Sequence, residues 1–244
     1  MHFFTDKDLT DKDSFSMTGD DAHHLLHVLR AGRGAVLEVT DGNGRTYSAV
    51  LKEANSDKAV LTVEKEIETD RELCCHITLY PCMTKSDKMA WIVQKATELG
   101  VSEIVPVVSA RTVARPDAKS AEHKEKRWQK IAEAAAKQCG RTRIPVVRPI
   151  ISIEKAIGMA AGDDLFLLPY ECADDPENTK ERMEQARQCS RLSVMIGPEG
   201  GFAPSEVQAA EIQGAQIITL GKRILRAETA AVAVLSWLVY QLEI

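Results

Sequence analysis

Short apolar runs alternate with amphipathic stretches over the last two thirds of the chain, and this alternation constrains the fold more than any other feature. From His76 onward, runs such as "HITLYPC", "DLFLLP", "RLSVMIG" and "QIITL" have the length and composition of buried strands. Stretches such as "DKMAWIVQKATELG", "SIEKAIGMA" and "VQAAEIQ" have helical periodicity. Repeated strand and helix alternation is typical of a mainly parallel sheet covered by helices, so we predict an α/β fold.

The first 70 residues follow a different pattern. The segment "DDAHHLLHVLR" has helical periodicity, and "AVLEVT", "RTYSAVLKE" and "DKAVLTVEKEI" then alternate apolar and polar residues as half-buried strands do. The sequence "DGNG" at 41–44 is typical of a hairpin turn, and a charged connector, "ETDRE", follows Ile67. We therefore predict two domains, a small β-rich domain over residues 1–70 and an α/β domain over residues 75–244.

Charge is distributed unevenly along the chain. The formal net charge is −5, yet residues 111–148 contain eleven Lys and Arg against four Asp and Glu, whereas residues 1–70 contain eight against fourteen. Such asymmetry is typical of a protein with a phosphate-facing patch. A solvated helix face explains it equally well, because "EHKEKRWQKIAEAAAKQ" also carries Glu and Lys at helical spacing.

Neither targeting segments nor metal-binding motifs are evident. The N-terminal "MHFFTDKDLT" lacks the basic and apolar regions of a signal peptide, and the apolar "AAVAVLSWLVY" at 230–240 is shorter than the run of about 18 residues that spans a bilayer. The six cysteines form no C-x-x-C pair, and the His23/His27 pair has no third ligand at a suitable spacing. These features predict a cytoplasmic protein with reduced thiols, no membrane contact and no metal.

The segment "IGPEGGF" at 196–202 lies between a predicted strand and a predicted helix. It matches neither G-x-G-x-x-G nor G-x-x-x-x-G-K-[ST], and Glu199 disfavours a phosphate at the start of a helix. A ligand with hydroxyl, amine or cationic groups fits this turn, and a tight turn in which Glu199 only complements the helix dipole fits it equally well. The strand ends at Pro169, Gly197 and Leu220 are close in sequence, so we expect them to line one cleft.

A second charged segment directly precedes the apolar C-terminal helix. The sequence "LGKRILRAETAA" contains Lys222, Arg223, Arg226 and Glu228. Glu228 would complement the positive end of the helix, which is a common role for such a residue. Arg226 is unfavourable at that place and indicates an anionic partner or a paired carboxylate.

Five motifs along the chain carry a family resemblance. They are "HHLLHVLR", "QKATELGVSEIVPVVSART", "EAAAKQCGR", "IGPEGGF...E" and "LGKRILRAETAA". In this order they closely resemble the bacterial 16S ribosomal RNA uridine-N3 methyltransferases of the SPOUT superfamily, over essentially the whole chain. The resemblance implies a PUA-like β-barrel domain followed by a SPOUT-type domain with a parallel sheet and a deep trefoil knot. It also implies a homodimer that acts on 16S rRNA, either free or in the assembled 30S subunit.

The resemblance further implies S-adenosyl-L-methionine as methyl donor, held by the three loops "LLP", "IGPEGGF" and "LGKRIL". Cofactor contacts are assigned to Leu168, Pro169, Gly197, Glu199, Gly201, Leu220, Gly221, Ile224 and Leu225. Among these, Glu199 is expected to orient its loop or an arginine. A sulfonium-bearing and amine-bearing ligand also agrees with the separate inference that an acidic turn avoids phosphate.

The implied reaction transfers a methyl group in line to N3 of a uridine, an imide nitrogen that becomes nucleophilic once its proton leaves. We assign catalytic roles to Arg111 and Arg226 as cations that stabilise the uridine anion, and to Glu228 as proton acceptor, directly or through water. Arg111 lies in the segment Ser-Ala-Arg-Thr at 109–112, where the family usually has Ser-Glu-Arg-Ser. A carboxylate at position 110 is therefore not expected to perform the transfer itself.

For rRNA binding, the positions that match the family are His24 and Arg30 in the first domain, with Lys85, Arg115 and Arg141 in the second. Contacts from these side chains to phosphates would position the substrate without reading its sequence. The spacing of Trp128 within the basic helix favours core packing over base stacking.

Two other functions stay open at this stage. One is a knotted RNA-binding dimer without catalytic activity, which the altered Ser-Ala-Arg-Thr segment favours. The other is an unrelated α/β enzyme with a nucleotide cofactor, which the glycine spacing and the β-rich first domain disfavour.

Overall fold

The computed structural model describes residues 1–113 and 115–244, with the backbone alone described for Ser86. The described chain divides into two compact units. The first comprises residues 1–72 and 136–143, and the second comprises residues 73–135 and 144–244. Each unit has its own sheet and its own hydrophobic core.

A five-stranded mixed sheet forms the first unit. Its strands are β1 (His2–Phe4), β2 (Ser14–Thr18), β3 (Val36–Thr40), β4 (Thr46–Ala54) and β5 (Lys58–Ile67), and their order in the sheet is β1-β3-β4-β5-β2. β1 runs parallel to β3, and the other neighbouring pairs are antiparallel. The three predicted strands and the hairpin between β3 and β4 are confirmed. β1 and β2 were not predicted: β1 has only three residues, and the alternation of polar and apolar residues in β2, "SFSMT", was missed.

One helical segment covers the core of this sheet. α1 (Gly19–His23) continues into a π-helical turn (His24–Val28), in which the Leu29 N–H donates to the carbonyl of His24, five residues earlier. Ala22 and Leu25 are buried in the same core as the side chains of the sheet. The helical prediction for this segment is therefore confirmed. The chain leaves it through Arg30, whose φ of 51° is unusual for a residue other than glycine.

The second unit is built on a six-stranded parallel sheet. Its strands are β6 (His76–Pro81), β7 (Glu103–Ile104), β9 (Val146–Val147), β11 (Leu165–Pro169), β12 (Arg191–Ile196) and β13 (Gln216–Ile218). Their order is β13-β11-β12-β6-β7-β9, and every neighbouring pair is parallel. β8 (Val107–Val108) and β10 (Ile151–Ser152) form a separate parallel pair. The predicted parallel sheet is thus confirmed.

Helices pack on both faces of this sheet. They are α2 (Ser86–Glu98), α3 (Ala118–Cys139), α4 (Ile153–Ala160), α5 (Pro176–Gln185), α6 (Pro204–Ile212) and α7 (Ala227–Glu243). Side chains of α2, α3, α5 and α7 share one core, which contains the fully buried Trp128, and those of α4 and α6 share the other. Trp128 is therefore a core residue, as predicted. Within the described residues, none of the helices combines the length and apolar character needed to cross a bilayer.

α5 is the helix that the sequence pattern failed to predict. Its sequence, "PENTKERMEQ", has no apolar stripe, since Thr179 and Met183 are its only buried residues. The helix begins with Pro176 in its first turn, and the Asp175 side chain accepts a 3.0 Å hydrogen bond from the Asn178 N–H. Capping, rather than hydrophobic periodicity, is therefore the local signal for this helix.

Candidate active site

A cavity of about 1150 Å³ opens where the neighbouring strands β11, β12 and β13 end. Residues from three segments that follow these strands line it, within 169–174, 196–202 and 219–227. α5 and α7 complete the wall with Thr179, Met183, Trp237 and Tyr240, among others. The expected meeting of the three strand ends in one cleft is confirmed, and the cavity is slightly larger than the roughly 300–1,000 Å³ that is typical of small-molecule sites.

Glycines determine how the second and third segments can fold. Gly201 has a φ of 67° and Gly221 a φ of 103°, which are left-handed values that side chains rarely permit. At Gly197, a Cβ atom would lie 3.2 Å from the ring of the buried Phe202. The lack of side chains at these positions leaves backbone groups exposed to the cavity.

Eight of the nine residues predicted to contact a cofactor line this cavity. They are Pro169, Gly197, Glu199, Gly201, Leu220, Gly221, Ile224 and Leu225. The ninth, Leu168, requires a correction, because its side chain is 1% exposed and lies in the core beneath α4 and α6. Successive side chains of a strand point to opposite faces, so Leu168 points into the same core as Phe166 rather than into the cavity.

Glu199 is held by the start of α2. Its Oε1 accepts hydrogen bonds from the backbone N–H of Lys85, at 3.4 Å, and from Nζ of Lys88, at 3.2 Å. Partial burial alone would raise the pKa of this carboxyl, but its own backbone N–H, Lys88 and Lys85 together lower that pKa. These contacts agree with the first of the two predicted roles, orientation of the loop, and the charged partner of Glu199 is Lys88.

The same lysine also faces Glu228, in the first turn of α7. Nζ of Lys88 lies 3.7 Å from Oε2 of Glu228, and the Glu228 side chain is 17% exposed. Within the described part of the chain, this buried Oε2 has no hydrogen-bond partner. Lys88 thus stands between two carboxylates, one on a cavity loop and one on a neighbouring helix.

The two arginines predicted to be catalytic are placed differently around the cavity. Arg226 lines it directly and is the exposed residue immediately before α7. Arg111 does not line it, but its Nη1 donates a 2.9 Å hydrogen bond to the carbonyl oxygen of Gly200, which does. The structure therefore brings Arg111, Arg226 and Glu228 to the surroundings of one cavity. Their catalytic roles stay predictions.

Four of the five residues predicted to bind RNA are exposed. His24 and Arg30 lie in the first unit, where the His24 ring packs edge-on against Phe3 with 6.2 Å between ring centroids. Lys85 and Arg115 lie in the second unit, and Nη2 of Arg115 donates to the carbonyl oxygens of Ser109 and Ala110. RNA binding by these residues stays a prediction.

Arg141, the fifth, is corrected by the structure. It is 4% exposed, and its Nε and Nη2 donate to the Glu72 carboxylate at 3.1 and 2.6 Å. Glu72 also accepts hydrogen bonds from the backbone N–H groups of Thr142 and Arg143. A buried guanidinium committed to a carboxylate is not available to phosphate, so we assign Arg141 a structural role.

Two functional candidates were missed in the sequence. Lys88 carries no local signal, because its two partners lie more than 100 residues away. Glu206 is the third residue of α6, where glutamate often accepts a hydrogen bond from the preceding backbone, and this position could have been noticed. Its second contact, to the 109–112 segment, is visible only in the fold.

Comparison with known families agrees with this architecture. Residues 71–239 match the model of a family described as an RNA methyltransferase domain, and residues 17–64 match a family described as an RNA methyltransferase PUA domain. A parallel sheet with a cavity at its strand ends, preceded by a PUA domain, therefore defines the class as RNA methyltransferases.

Individual relatives narrow the class. Ribosomal RNA small subunit methyltransferase E of Bacillus subtilis is 32% identical, over 98% of this chain and 95% of its own length. The protein of the same name from Mycobacterium bovis is 30% identical, over 89% and 82%. A crystal structure of the protein of this name from Neisseria gonorrhoeae, bound to S-adenosyl methionine, is 31% identical to this chain. The match covers 96% of this chain and 94% of the other, and the two structures superimpose with a TM-score of 0.86. The chain belongs to the ribosomal RNA small subunit methyltransferase E family.

Proposed function

We propose that this protein transfers the methyl group of S-adenosyl-L-methionine to N3 of a uridine in 16S rRNA. The observation that carries the proposal is the cavity at the ends of β11, β12 and β13, with its glycine-shaped loops. Further support comes from the Neisseria gonorrhoeae relative, which is bound to S-adenosyl methionine and matches almost the whole of this chain. The alternative of an RNA-binding protein without activity gains no support from this cavity.

The residues around the cavity fit this cofactor. Leu220 and Leu225 provide apolar surface for an adenine ring. Glu171 and Glu199 bring negative charge to the wall, which would attract the positively charged sulfonium and amino groups. When bound, S-adenosylmethionine supplies an electrophilic methyl group on a cationic sulfur.

The remaining chemistry is assigned to side chains around the cavity. A uridine N3 carries a proton at neutral pH and must lose it to become a nucleophile. Glu228 is the proposed acceptor, since its buried Oε2 makes no hydrogen bond within the described residues. Arg226 and Arg111 are the proposed cations that stabilise the resulting uridine anion. Positioning of both reactants in line would contribute about 7–11 kcal/mol to the lowering of the barrier.

The RNA substrate must present an unpaired uridine, because N3 lies on the pairing edge of the base. We propose that residues 1–70 form the RNA-binding domain, through His24 and Arg30, and that residues 75–244 form the methyltransferase domain, with Lys85 and Arg115 as further phosphate contacts. The proposed substrate is 16S rRNA in the cytoplasm, either free or in the assembled 30S subunit. The trefoil knot stays a prediction.

A homodimer is proposed from the face of α7 that borders the cavity, where Trp237 and Tyr240 line the wall and are also partly exposed. Ala230, Ala233, Trp237, Tyr240 and Ile244 follow one another at helical spacing. Trp237 is 38% exposed and Tyr240 58% exposed, so an aromatic stripe along this helix faces solvent in the single chain. Trp237→Asp should convert a dimer into monomers in sedimentation velocity, and a wild-type monomer would contradict the proposal.

Calorimetric titration with S-adenosylmethionine tests the cavity, and methylation of small subunits that lack the modification tests the reaction. We expect saturable binding and one N3-methyluridine, located by mass spectrometry of the rRNA. Ile224→Arg should weaken binding, because Ile224 lines the cavity and an added cation repels a sulfonium. Ile212→Arg on α6 is the matched control, since Ile212 is as exposed but does not line the cavity.

Each result has a separate meaning. Absence of binding would refute the cofactor assignment. Binding without a methylated uridine would refute the proposed substrate, and methylation at another atom of the base would refute N3 as the acceptor.

A further inference from the structure

Glu206 connects two segments of the candidate active site that are far apart in sequence. It is 8% exposed. Its Oε2 accepts a 2.7 Å hydrogen bond from the Ala203 N–H, at the start of its own helix. Its Oε1 accepts another 2.7 Å hydrogen bond from the Ala110 N–H, 96 residues away. The first bond is an ordinary helix cap, whereas the second serves no purpose within α6.

The segment that Glu206 contacts, residues 109–112, contains hydrogen bonds between its own two ends. The Ser109 N–H donates to Oγ1 of Thr112 at 2.9 Å, and the two hydroxyl groups are also 2.9 Å apart. On the opposite side of the chain, Nη2 of Arg115 donates to the carbonyl oxygen of Ala110 at 3.3 Å. Ala110 is therefore held through both its N–H and its carbonyl group, and its position determines where Arg111 begins.

The Arg111 side chain contacts the loop that precedes Glu206. Its Nη1 donates to the Gly200 carbonyl oxygen at 2.9 Å. A Cβ atom on Gly200 would lie 3.4 Å from Cβ of Arg111, so the two backbones approach closely. The segment 109–112 is thus attached at two points, Glu206 and Gly200, to the chain that forms one wall of the cavity.

We propose that Glu206 is a positioning residue that fixes Arg111 at the rim of the cavity. This inference rests on the proposed role of Arg111 in methyl transfer. A carboxylate is required at position 206 because both of its oxygens accept a backbone N–H. A carboxamide has one acceptor oxygen and one donor NH2 group. Its oxygen can accept from one backbone N–H, but its NH2 group would then face the other N–H, donor against donor.

A double-mutant cycle tests the proposal, with Glu206→Gln, Arg111→Ala and the combined variant. We expect Glu206→Gln to lower kcat by about tenfold to a hundredfold, the effect of losing one hydrogen bond to a charged group, while KM for S-adenosylmethionine changes by less than about threefold. If Glu206 acts through Arg111, the combined variant should be no slower than Arg111→Ala alone. Glu211→Gln, exposed on the same helix, is the control and should match wild type.

Hydrogen exchange gives a readout that does not depend on activity. The Ala110 N–H should exchange faster in Glu206→Gln than in wild type. Glu206→Asp takes the place of Glu206→Gln in the cycle if the latter does not fold, because it retains the charge but is one methylene too short to reach both N–H groups.

The outcomes separate the inference from the proposed function. Normal turnover in Arg111→Ala would remove Arg111 from the mechanism, and the inference with it. Slow turnover in Arg111→Ala combined with normal turnover in the Glu206 variants, or with additive effects in the cycle, would overturn the positioning role and leave that of Arg111 intact.

Discussion

The ammonium group of Lys88 lies 3.2 Å from the carboxylate of Glu199, and the same group lies 3.7 Å from Glu228. One cation thus opposes two carboxylates that belong to different walls of the site. Lys88→Met should weaken S-adenosylmethionine binding by about threefold to tenfold and lower the free energy of unfolding by about 1–2 kcal/mol, because it leaves the buried Glu228 oxygen without a countercharge.

Lys95→Met is the matched control for this change. Lys95 lies on the same helix and pairs with Glu98 at its partly exposed surface. Its loss should cost less than about 0.5 kcal/mol and leave binding unchanged. Equal effects of the two substitutions in calorimetry would show that Lys88 has no special role.

Two adjacent glycines should respond differently to alanine. Gly201→Ala forces a side chain into a φ of 67° and toward the Glu171 carboxylate, so we expect a loss of stability of about 1 kcal/mol and weaker cofactor binding. Gly200→Ala should be tolerated, because Gly200 lies outside the left-handed region and its nearest neighbour would be at 3.4 Å. Thermal unfolding with and without S-adenosylmethionine measures both effects, and equal shifts would contradict the assignment of strain to Gly201.

Arg226→Ala should reduce methyl transfer by at least about a hundredfold while it leaves S-adenosylmethionine affinity nearly unchanged, because the proposed role of Arg226 is confined to the uridine anion. Arg223 lines the same cavity and is equally exposed, so Arg223→Ala is the control and should retain most of the activity. Near-normal turnover of Arg226→Ala in a single-turnover assay would exclude Arg226 from the mechanism.

Alanine substitutions at Arg30 and Arg141 should have different effects, the first on RNA binding and the second on stability. Arg30→Ala should reduce the slope of log K for rRNA against log salt by about 0.7 and leave the unfolding free energy within about 0.5 kcal/mol of wild type. Arg141→Ala should leave that slope unchanged and destabilise the protein by about 2–4 kcal/mol, because it removes the charged partner of Glu72. A reduced salt slope in a folded Arg141→Ala variant would restore Arg141 as an RNA contact.

Acid should destabilise the first unit through His2. Burial lowers the pKa of His2 from its ordinary value of 6.5, and the neighbouring Glu38 only partly opposes this effect. Below pH 6.5 the unfolded chain therefore binds a proton that the folded state resists, so stability falls as the pH decreases. We expect urea unfolding to show a loss of at most about 1.4 kcal/mol between about pH 7.5 and about pH 5.5.

His2→Gln should abolish this part of the pH dependence, because a carboxamide does not titrate and can still bond to Oγ1 of Thr40. An identical decrease in the variant and in wild type would assign the slope to other groups.

Much of the fold was accessible from the sequence because its elements carry strong periodic signals. The strands β6, β11 and β12 are mostly apolar and buried along almost their whole length, as expected for strands covered on both faces, and α7 is apolar over most of its length. α5 was not predicted because Thr179 and Met183 are its only buried residues. A helix that contributes two side chains to the core leaves almost no pattern in the sequence.

The site was predictable where it depends on backbone conformation and unpredictable where it depends on tertiary partners. The glycines of the 196–202 and 219–227 segments mark positions that need positive φ or close approach, and for 196–202 the sequence alone indicated either a binding loop or a tight turn. Arg141 is indistinguishable in sequence from a surface arginine, and only the fold places Glu72 against it. Leu168 was assigned to the cavity with its neighbour because a motif does not show which face of a strand is covered.

The bond between Glu206 and Ala110 uses a main-chain N–H, while the methyl group of Ala110 is exposed. The carboxylate thus recognises a position in the chain and not a type of residue. Mutational drift at position 110 should therefore be nearly silent among relatives with this geometry, glutamate included. Proline is the exception, because it alone would remove the N–H.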